Sequence, residues 1–329
     1  MKRSGLVRLM LLLGVMTLLI APGVAAQERL SIATGGTGGV YYPYGGGLAE
    51  LLSNELPDYA FTAEATAASV DNMYLVGEGD YGIAFVLADT AYAAGNGEEP
   101  FEEPIDAVSL VTLYNNFTHV VVNPDAGIES LEDLAGKSVS TGSPGSGTEV
   151  IALRMLEVAG VTTDDISQEQ LGASESAAAF KDGRIDAFFW SGGLPTSAVT
   201  DLGATPNISY ALLDTGSYVD AMREQFGAFY NVETIPAGTY PGQDVDIETV
   251  VVPNVLVAHA DMDEQLAYDI VRVMFENKDQ LVQVHAAAND LNLDTAMSAE
   301  ALPYHPGAVR YFEEQGAGGG ASPEATPAS

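Results

Sequence analysis

Short runs of β-branched and aromatic residues alternate along most of the chain with segments whose apolar residues recur at helical spacing. Residues 30–34 predict a first strand, which leads through the glycines of residues 35–39 into a helix. Tyr44, Leu48 and Leu52 lie on one face of that helix. This alternation is typical of α/β proteins, in which helices cover largely parallel sheets.

The same pattern predicts further elements along the chain. We predict strands at 61–65, 83–86, 108–113, 120–122, 138–140, 187–190 and 208–213. Helices are predicted from residues 69, 90, 148 and 174 and after residue 195, with a short helix at 131–136 and closing helices at 264–277 and 307–315. Ser69 is expected to cap the helix that starts there, because a serine hydroxyl accepts a bond from a free N–H of the first turn.

The pattern of the first unit starts again near residue 138. A strand ending at Thr141 is followed by a loop at 142–147 and by a helix from Thr148. Two similar α/β units predict two lobes. We assign 27–120 to the first lobe, 121–236 to the second, and 237–315 to a return connection, loop-rich at 238–253, and the rest of the first lobe.

Both ends of the chain differ from this body. Lys2 and Arg3 precede an apolar run at 6–20 and the small residues Val24-Ala25-Ala26, the arrangement of a secretory signal peptide at 1–26. The alternative, a membrane anchor, needs about 18 to 20 apolar residues, which exceeds this run. The other end, 316–329, contains little that can be buried, and we expect a flexible tail.

The charge of the chain excludes some classes of function. With 46 acidic and 12 basic residues the net charge is −34, and a surface of that sign repels nucleic-acid phosphates. Removal of the first 26 residues would leave 9 basic against 46 acidic side chains, a net charge of −37. Because the chain has no cysteine, disulfides, thiolate metal sites and cysteine nucleophiles are excluded. We therefore expect that the protein binds no nucleic acid, and the predicted signal peptide indicates that it is exported.

Two glycine-rich loops are the candidate chemical sites. The loop at 142–147 lacks the lysine of a phosphate-binding P-loop, since Gly147 stands in that place, and the loop at 35–39 lacks dinucleotide-binding spacing. Each loop connects a strand to a helix N-terminus, where backbone N–H groups attract an anion such as a carboxylate. The alternative is that the glycines serve only tight turns. Two such loops in two lobes favour a site between them.

Catalytic and metal-binding patterns are weak in this chain. The four histidines, His119, His259, His285 and His305, are too scattered for a metal or nucleophile motif, and no nucleophile-elbow sequence is present. Paired carboxylates are expected by chance in so acidic a chain. We predict no catalytic residue, no cofactor and no metal, and hence a binding protein rather than an enzyme.

A specific resemblance runs through nearly the whole chain after residue 26. It is carried by these segments: Gly35-Gly36-Thr37-Gly38-Gly39-Val40-Tyr41-Tyr42-Pro43, Glu64-Ala65-Thr66 to Asn72, Gly82 to Asp89, Gly145-Ser146-Gly147-Thr148, Asp186 to Thr196, Pro236 to Tyr240, and His305-Pro306-Gly307-Ala308. In number and order they resemble the TAXI family, the solute-binding receptors of TRAP transporters. The resemblance implies a type II periplasmic-binding-protein fold whose two lobes close over a small ligand.

The resemblance also implies which residues contact the ligand. These are Gly38, Gly39, Tyr41, Tyr42, Ser69, Asn72, Asp89, Ser146, Gly147, Thr148, Trp190, Gly193 and Thr196. This chain has Leu87-Ala88 before Asp89, where similar sequences often have Gln and a small residue. Tyr41, Tyr42 and Trp190 have an alternative role as core aromatics, and Thr148 as a helix cap. Trp190 follows an apolar strand, so we expect it to face the cleft.

The resemblance implies a ligand of the glutamate-like amino-acid or small organic-acid class. No basic residue of the chain lies inside the contact segments, so a carboxylate would be held by backbone N–H groups, hydroxyls and helix N-termini. The implied partners are TRAP membrane subunits, and we expect a monomeric, extracytoplasmic receptor. The alternatives are a ligand-binding module for a sensor kinase and an exported enzyme.

Overall fold

A computed structural model describes residues 27–317 of the chain. The predicted signal peptide at 1–26 and residues 318–329 of the predicted tail lie outside the described residues. Gly316 and Ala317, the first two residues of the predicted tail, directly follow the last helix and bond back to it. Their N–H groups donate to the carbonyls of Glu313 and Phe312 at 3.0 and 2.8 Å, respectively.

The strands of the described chain are mostly short, with two long exceptions. The long ones are β4 (Ala107–Val122) and β10 (Ile247–His259). The others are β1 (Glu28–Ala33), β2 (Tyr59–Glu64), β3 (Ile83–Leu87), β5 (Ser138–Ser140), β6 (Ser167–Glu169), β7 (Ala187–Gly192), β8 (Ala211–Leu212) and β9 (Asn231–Ile235).

The α-helices mostly follow the strands. They are α1 (Tyr41–Glu55), α2 (Ser69–Gly77), α3 (Ala88–Asn96), α4 (Gly147–Val158), α5 (Ala173–Lys181), α6 (Ser197–Gly203), α7 (Val219–Phe226), α8 (Glu264–Glu276), α9 (Lys278–Val284) and α10 (Pro306–Glu314). The predicted helix at 131–136 is a 3₁₀ turn at Glu132–Leu134. Among residues 27–317, no helix is both long enough and apolar enough to cross a membrane.

One mixed sheet contains two copies of the same strand arrangement. Its order is β2-β1-β3-β10-β4-β7-β5-β6, with β8 paired to β4 and β9 to β10. In the first half, defined here as residues 28–96, the parallel strands β2, β1 and β3 end against antiparallel β10. In the second half, residues 138–203, parallel β6, β5 and β7 end against antiparallel β4. The unit that starts again near residue 138 is thus visible in the topology.

The two long strands join the halves. β4 and β10 pair antiparallel through the middle of the sheet, with Asn115 opposite Pro253 and Phe117 opposite Val251. The prediction of two strands at 108–113 and 120–122 is wrong, because β4 continues through the intervening polar residues. The loop predicted at 238–253 is also wrong in part, because β10 already begins at residue 247. β10 pairs with β3 of the first half, β4 pairs with β7 of the second half, and the two long strands pair with each other. The lobe boundaries drawn from the sequence stay a prediction.

The strands are buried on both faces, as expected for parallel strands between helices. In β3, Ile83 and Phe85 belong to an apolar cluster under α1, α8 and α10, whereas Ala84 and Val86 belong to a cluster on the other face. That second cluster extends under α2, α3, α4 and α7 and so covers both halves. A third cluster lies under α5 and α6 of the second half only. On this face of the sheet, the two halves therefore share one continuous apolar core.

Candidate functional site

A cavity of about 220 Å³ lies between the two halves. Its wall is formed by residues 35–41 and 67–69 of the first half, residues 142–143, 146–148, 171–175 and 190–192 of the second half, and Leu87, Tyr114 and Asn116. Most of these residues lie at or just beyond the carboxyl ends of the parallel strands β1, β2, β5, β6 and β7. In α/β sheets this edge is where ligands bind.

Four helices begin at the wall of this cavity. Tyr41, Ser69, Gly147 and Ala173 are the first residues of α1, α2, α4 and α5, and all four line it. Each helix N-terminus carries a partial positive charge and N–H groups without intrahelical partners. Among the described lining residues, none is Lys, Arg or His, and Glu175 alone is charged. The electrostatic character of the cavity therefore comes largely from backbone, and it favours an anionic group.

The start of α4 shows how the sequence builds this wall. Ser146 is the N-cap, and its hydroxyl oxygen accepts from the backbone N–H of Glu149 at 3.1 Å. The Thr148 hydroxyl oxygen accepts from the N–H of Ser191 at 3.2 Å. Each hydroxyl thus uses a lone pair on the backbone and retains its proton, which can be donated to a ligand. The alternative that Thr148 caps the helix is wrong, because Ser146 occupies that position.

The cap of α2 comes from the other half of the molecule. The N–H groups of Val70 and Asp71 donate to the carbonyl of Gly145 at 3.1 and 3.2 Å. The prediction that Ser69 caps this helix is wrong, because Ala68 is the N-cap residue and the Ser69 hydroxyl instead accepts from the N–H of Leu87 at 3.1 Å. Gly145 has φ of +76°, a conformation that glycine adopts without strain.

Trp190 closes the cavity against the first half. A Cβ atom added at Gly39 would lie 2.7 Å from the indole Cη2 of Trp190, so only glycine leaves room for the ring. The indole Nε1 donates to the hydroxyl oxygen of Thr196 at 2.9 Å. Nearby, the Ser197 hydroxyl donates to the carbonyl of Gly38 at 3.1 Å. These contacts bring the glycine loop of the first half onto the second half.

A buried polar network connects the cavity to the two central strands. The Tyr41 hydroxyl donates to Oδ1 of Asn254 in β10, and burial raises the pKa of Tyr41 above its usual range. Asn254 Nδ2 donates to the carbonyl of Tyr114 at 3.1 Å, which fixes the orientation of its amide. Asn116 Nδ2 donates to Asn254 Oδ1 at 3.0 Å, so Asn116 Oδ1 faces away and has no partner among the described residues.

The sequence-predicted site residues divide into two groups. Those in the cavity wall are Gly38, Gly39, Tyr41, Ser69, Ser146, Gly147, Thr148 and Trp190. Those outside it are Tyr42, Asn72, Asp89, Gly193 and Thr196. That the residues of the wall bind a ligand stays a prediction.

Most residues of the second group have other contacts. Tyr42 is exposed on α1, and Asn72 is buried, with Nδ2 donating to the carbonyls of Thr34 and Phe85 at 2.8 Å. A Cβ at Gly193 would meet the ring of Tyr114 at 2.9 Å. Asp89 is buried at the start of α3 and forms an ion pair, described next.

The ion pair of Asp89 crosses from the first half to the second. Arg154 Nη1 of α4 lies 2.8 Å from Asp89 Oδ2, and the Tyr230 hydroxyl donates to the same oxygen at 2.7 Å. Burial opposes the charge on Arg154, but Asp89 and Tyr230 more than offset it and raise the pKa of the guanidinium. Arg154 is mostly buried, with 14% of its side chain exposed, and its pairing with Asp89 cannot be read from the sequence because no local pattern marks it.

Sequence reasoning also missed parts of the cavity wall. Tyr114 and Asn116 lie in the stretch of β4 that was not predicted as strand, and Ser174 and Glu175 lie in the first turn of α5. Tyr114 and Asn116 each carry a buried oxygen without a partner among residues 27–317, as does Ser191. The one signal in the sequence that could have indicated these residues is the polar pair Asn115-Asn116, which interrupts an apolar, strand-like run.

The NMT1-like family model matches residues 32–316, which is most of the chain. The chain therefore belongs to the NMT1-like family. Among solved structures, it is similar to a binding protein component of an ABC phosphonate transporter from Pseudomonas aeruginosa, at 12% identity over 79% of each chain, with a TM-score of 0.53.

Two further structures are similar to this chain. A protein from Bordetella bronchiseptica RB50 is 16% identical over 87% of this chain and 89% of its own, with a TM-score of 0.52. The periplasmic aliphatic sulphonate binding protein SsuA from Escherichia coli is 17% identical over 88% and 79%, with a TM-score of 0.45. At these identities the likeness concerns the fold. The predicted α/β, two-lobe periplasmic-binding-protein fold is confirmed.

Proposed function

We propose that the protein is an extracytoplasmic receptor that binds a small anionic solute between its lobes and delivers it to a membrane transporter. The observation that carries this proposal is the cavity between the halves, at which four helices begin and none of the described lining residues is basic. Membership of the NMT1-like family and the binding-protein fold support it. Capture and release need no bond chemistry, so the proposal assigns the protein no enzymatic reaction.

The ligand in this proposal is a small carboxylate or an amino acid of the glutamate class. The free protons of Ser146 and Thr148, together with the N-terminus of α4, suit a carboxylate. A volume of about 220 Å³ suits a small metabolite. A phosphonate or sulfonate is the second candidate, because tetrahedral oxyanions bind helix N-termini by the same interactions and the Pseudomonas aeruginosa neighbour belongs to a phosphonate transporter.

A binding screen tests this proposal. Protein that has been unfolded and refolded to remove bound molecules is titrated calorimetrically with L-glutamate, other amino acids, dicarboxylates, methylphosphonate and alkanesulfonates. A compound that binds only folded protein at a hundredfold excess over its Kd should stabilise it by about 2.7 kcal/mol. Recovery of the same compound unchanged, by mass spectrometry, is expected of a receptor. Absence of binding by the whole panel, or turnover of any compound, would overturn the proposal.

We further propose that the transporter is of the TRAP type and that the receptor belongs to the TAXI group. The support is the run of motifs from the first glycine loop to His305-Pro306-Gly307-Ala308. The experiment is uptake of the radiolabelled compound into proteoliposomes that contain the TRAP membrane subunits of the same host. Uptake should require both the receptor and an ion gradient, whereas dependence on ATP would place the protein with ABC transporters instead.

Export is part of the same proposal. The basic residues, apolar run and Val24-Ala25-Ala26 of the N-terminal segment support cleavage before Gln27. Mass spectrometry of the protein isolated from its native host should find an N-terminus at or near Gln27. An intact segment 1–26 on the exported protein would contradict this part of the proposal.

A further inference from the structure

The Thr196 hydroxyl makes two hydrogen bonds, and it is the donor in one and the acceptor in the other. It donates its proton to the carbonyl of Gly193 at 2.9 Å. It must therefore present a lone pair to Trp190, whose indole Nε1 donates to it at 2.9 Å. Thr196 has no exposed surface, so water cannot replace the bond. The indole of Trp190 thus has one fixed partner, which lies at the other end of the seven-residue segment 190–196.

Thr196 is itself held from the other side by two buried rings. Its backbone N–H donates to the Tyr240 hydroxyl at 3.0 Å, and that hydroxyl lies 2.8 Å from Nε2 of His119. His119 Nδ1 lies 2.9 Å from the carbonyl of Phe117, so the neutral ring carries its proton on Nδ1 and accepts from Tyr240 at Nε2. His119 is also the cross-strand neighbour of Trp190 between β4 and β7. The hydrogen bonds from Thr196 through Tyr240 to His119 therefore lead back to β7, the strand that contains Trp190.

The orientation of the indole decides the shape of the cavity. Cβ atoms added at Gly39 and Gly192 would lie 2.7 Å from Cη2 and 2.5 Å from Nε1 of Trp190, so the ring occupies a slot bounded by two glycines. Rotation of the ring out of this slot would move its six-membered edge away from Gly39 and open the cavity wall between the halves. A bond to Nε1, at the opposite end of the ring system, is well placed to prevent that rotation.

We propose that Thr196 is a positioning residue for Trp190, whose hydroxyl holds the indole against Gly39 so that it forms one wall of the cavity. In this role Thr196 acts on a ligand through Trp190 rather than by contact, which accords with its place outside the cavity wall. The consequence for ligand binding rests on the proposed receptor function. The positioning itself does not, because it is a property of the protein without ligand.

The experiment uses the indole N–H signal in proton–nitrogen NMR spectra. Trp190 is the only tryptophan in the chain, so that signal is single. In the wild-type protein without ligand, we expect the indole N–H to exchange with water at least about tenfold more slowly than in free indole. Thr196→Val removes the acceptor and keeps the size of the side chain. It should shift the signal and abolish the protection, whereas Thr196→Ser should restore both.

Thr200→Val is the matched control. Thr200 lies one turn further along α6, and its hydroxyl donates to the Thr196 carbonyl at 3.1 Å, whereas the Trp190 indole Nε1 donates to the Thr196 hydroxyl. This variant should leave the indole signal unchanged. An indole N–H that exchanges as fast in the wild type as in free indole would overturn the proposal even if Thr196→Val failed to fold. An unchanged signal in folded Thr196→Val would overturn it as well.

Titration with L-glutamate adds a functional readout. Thr196→Val should weaken glutamate binding about tenfold, the order expected for one lost hydrogen bond, while Thr196→Ser and Thr200→Val stay within about twofold of wild type. If no compound of the screening panel binds the wild type, the proposed receptor function is wrong. The indole N–H signal still tests the positioning role in that case. If glutamate binds but Thr196→Val leaves both signal and affinity unchanged, the positioning role fails alone.

Discussion

Arg154 Nη1 and Asp89 Oδ2 lie 2.8 Å apart in the interior, and they belong to different halves of the molecule. The side chain of Asp89 has no exposed surface and that of Arg154 is 14% exposed. Tyr230 completes the cluster, since its hydroxyl contacts both groups at 2.7 Å. The ring of Phe226 lies 5.2 Å from the Arg154 guanidinium. Two buried charges are thus satisfied only while α3 and α4 stay together.

Removal of one member of this pair should be strongly destabilising. Arg154→Met leaves the Asp89 carboxylate buried without its counter-charge, and we expect a loss of about 3–5 kcal/mol in the free energy of unfolding, measured by urea denaturation. Arg272→Met is the control, because Arg272 forms its ion pairs with Asp269 and Glu276 at the surface, where about 0–1 kcal/mol is expected. The double variant Asp89→Asn/Arg154→Met should recover part of the loss. Equal effects of the two arginine variants would contradict this interpretation.

Two of the four glycines in the loop at 35–39, Gly36 and Gly39, should respond very differently to the same substitution. Gly39→Ala places a methyl 2.7 Å from the indole Cη2, so either the indole or the loop must move. We expect about 1–3 kcal/mol lower stability and weaker binding of L-glutamate. Gly36→Ala meets nothing within 4 Å and should leave stability and affinity nearly unchanged. Thermal unfolding measures the stability of the two variants and calorimetry their affinity for L-glutamate. If Gly39→Ala behaves like Gly36→Ala, the Trp190 indole does not lie against Gly39.

The stability of the protein should fall between pH 6.5 and pH 4. Burial lowers the pKa of His119 from 6.5 to about 4, although its bonds to the Trp190 and Phe117 carbonyls act in the opposite direction. Because the folded-state pKa is lower than the unfolded-state pKa, the unfolded chain binds more protons in this window. Stability from this group is fully present above pH 6.5, declines as the pH falls, and levels off below pH 4. The total decline is up to about 3 kcal/mol.

His119→Asn isolates this effect. Asparagine can still donate to the Phe117 carbonyl but does not titrate, so the decline between pH 6.5 and 4 should become shallower than in wild type. Burial lowers the pKa of His285 too, and that residue contributes in the same direction in both proteins. Urea denaturation at several pH values gives the two slopes. Equal slopes would show that His119 is not the buried titrating group.

Low concentrations of salt should stabilise the protein. Residues 27–329 carry 46 acidic and 9 basic side chains, and their mutual repulsion is strongest when screening is weak. The Debye length falls from about 30 Å at 0.01 M to about 8 Å at 0.15 M salt, so most of the gain should occur in that range. Thermal unfolding in NaCl measures it. A stability that rises linearly up to molar salt, without early saturation, would point to ion exclusion from the surface instead of screening.

Local sequence pattern is sufficient for the parts of the site that lie on one stretch of chain. The strand, glycine loop and helix at 35–41 and again at 142–148 are recognisable, because strand-forming residues, glycines and an amphipathic segment follow one another directly. Trp190 is expected at the cleft because it ends the apolar run 187–190, and it lines the cavity, although β7 continues to Gly192. These features depend on neighbours within a few positions of each other.

Partners far apart in the chain explain what the pattern misses. Asn115 and Asn116 interrupt an apolar run, but β4 continues through them because they pair with Pro253 and Val252 of β10, which are 138 and 136 residues away in the chain. Asp89 is expected at the ligand from the resemblance, yet the structure pairs it with Arg154. Only the packing of α3 and α4 on the same apolar cluster brings these two side chains together.

The order of the elements, the two glycine loops at helix N-termini and the acidic character of the chain can be inferred from the amino-acid sequence, because they follow from composition and from residues close in the chain. Three contacts become visible only in the folded protein: Gly145 of the second half caps α2, Trp190 closes on Gly39, and Asn254 orients Asn116. Each of these contacts joins residues whose separation depends on how the two halves pack. No local propensity encodes that distance.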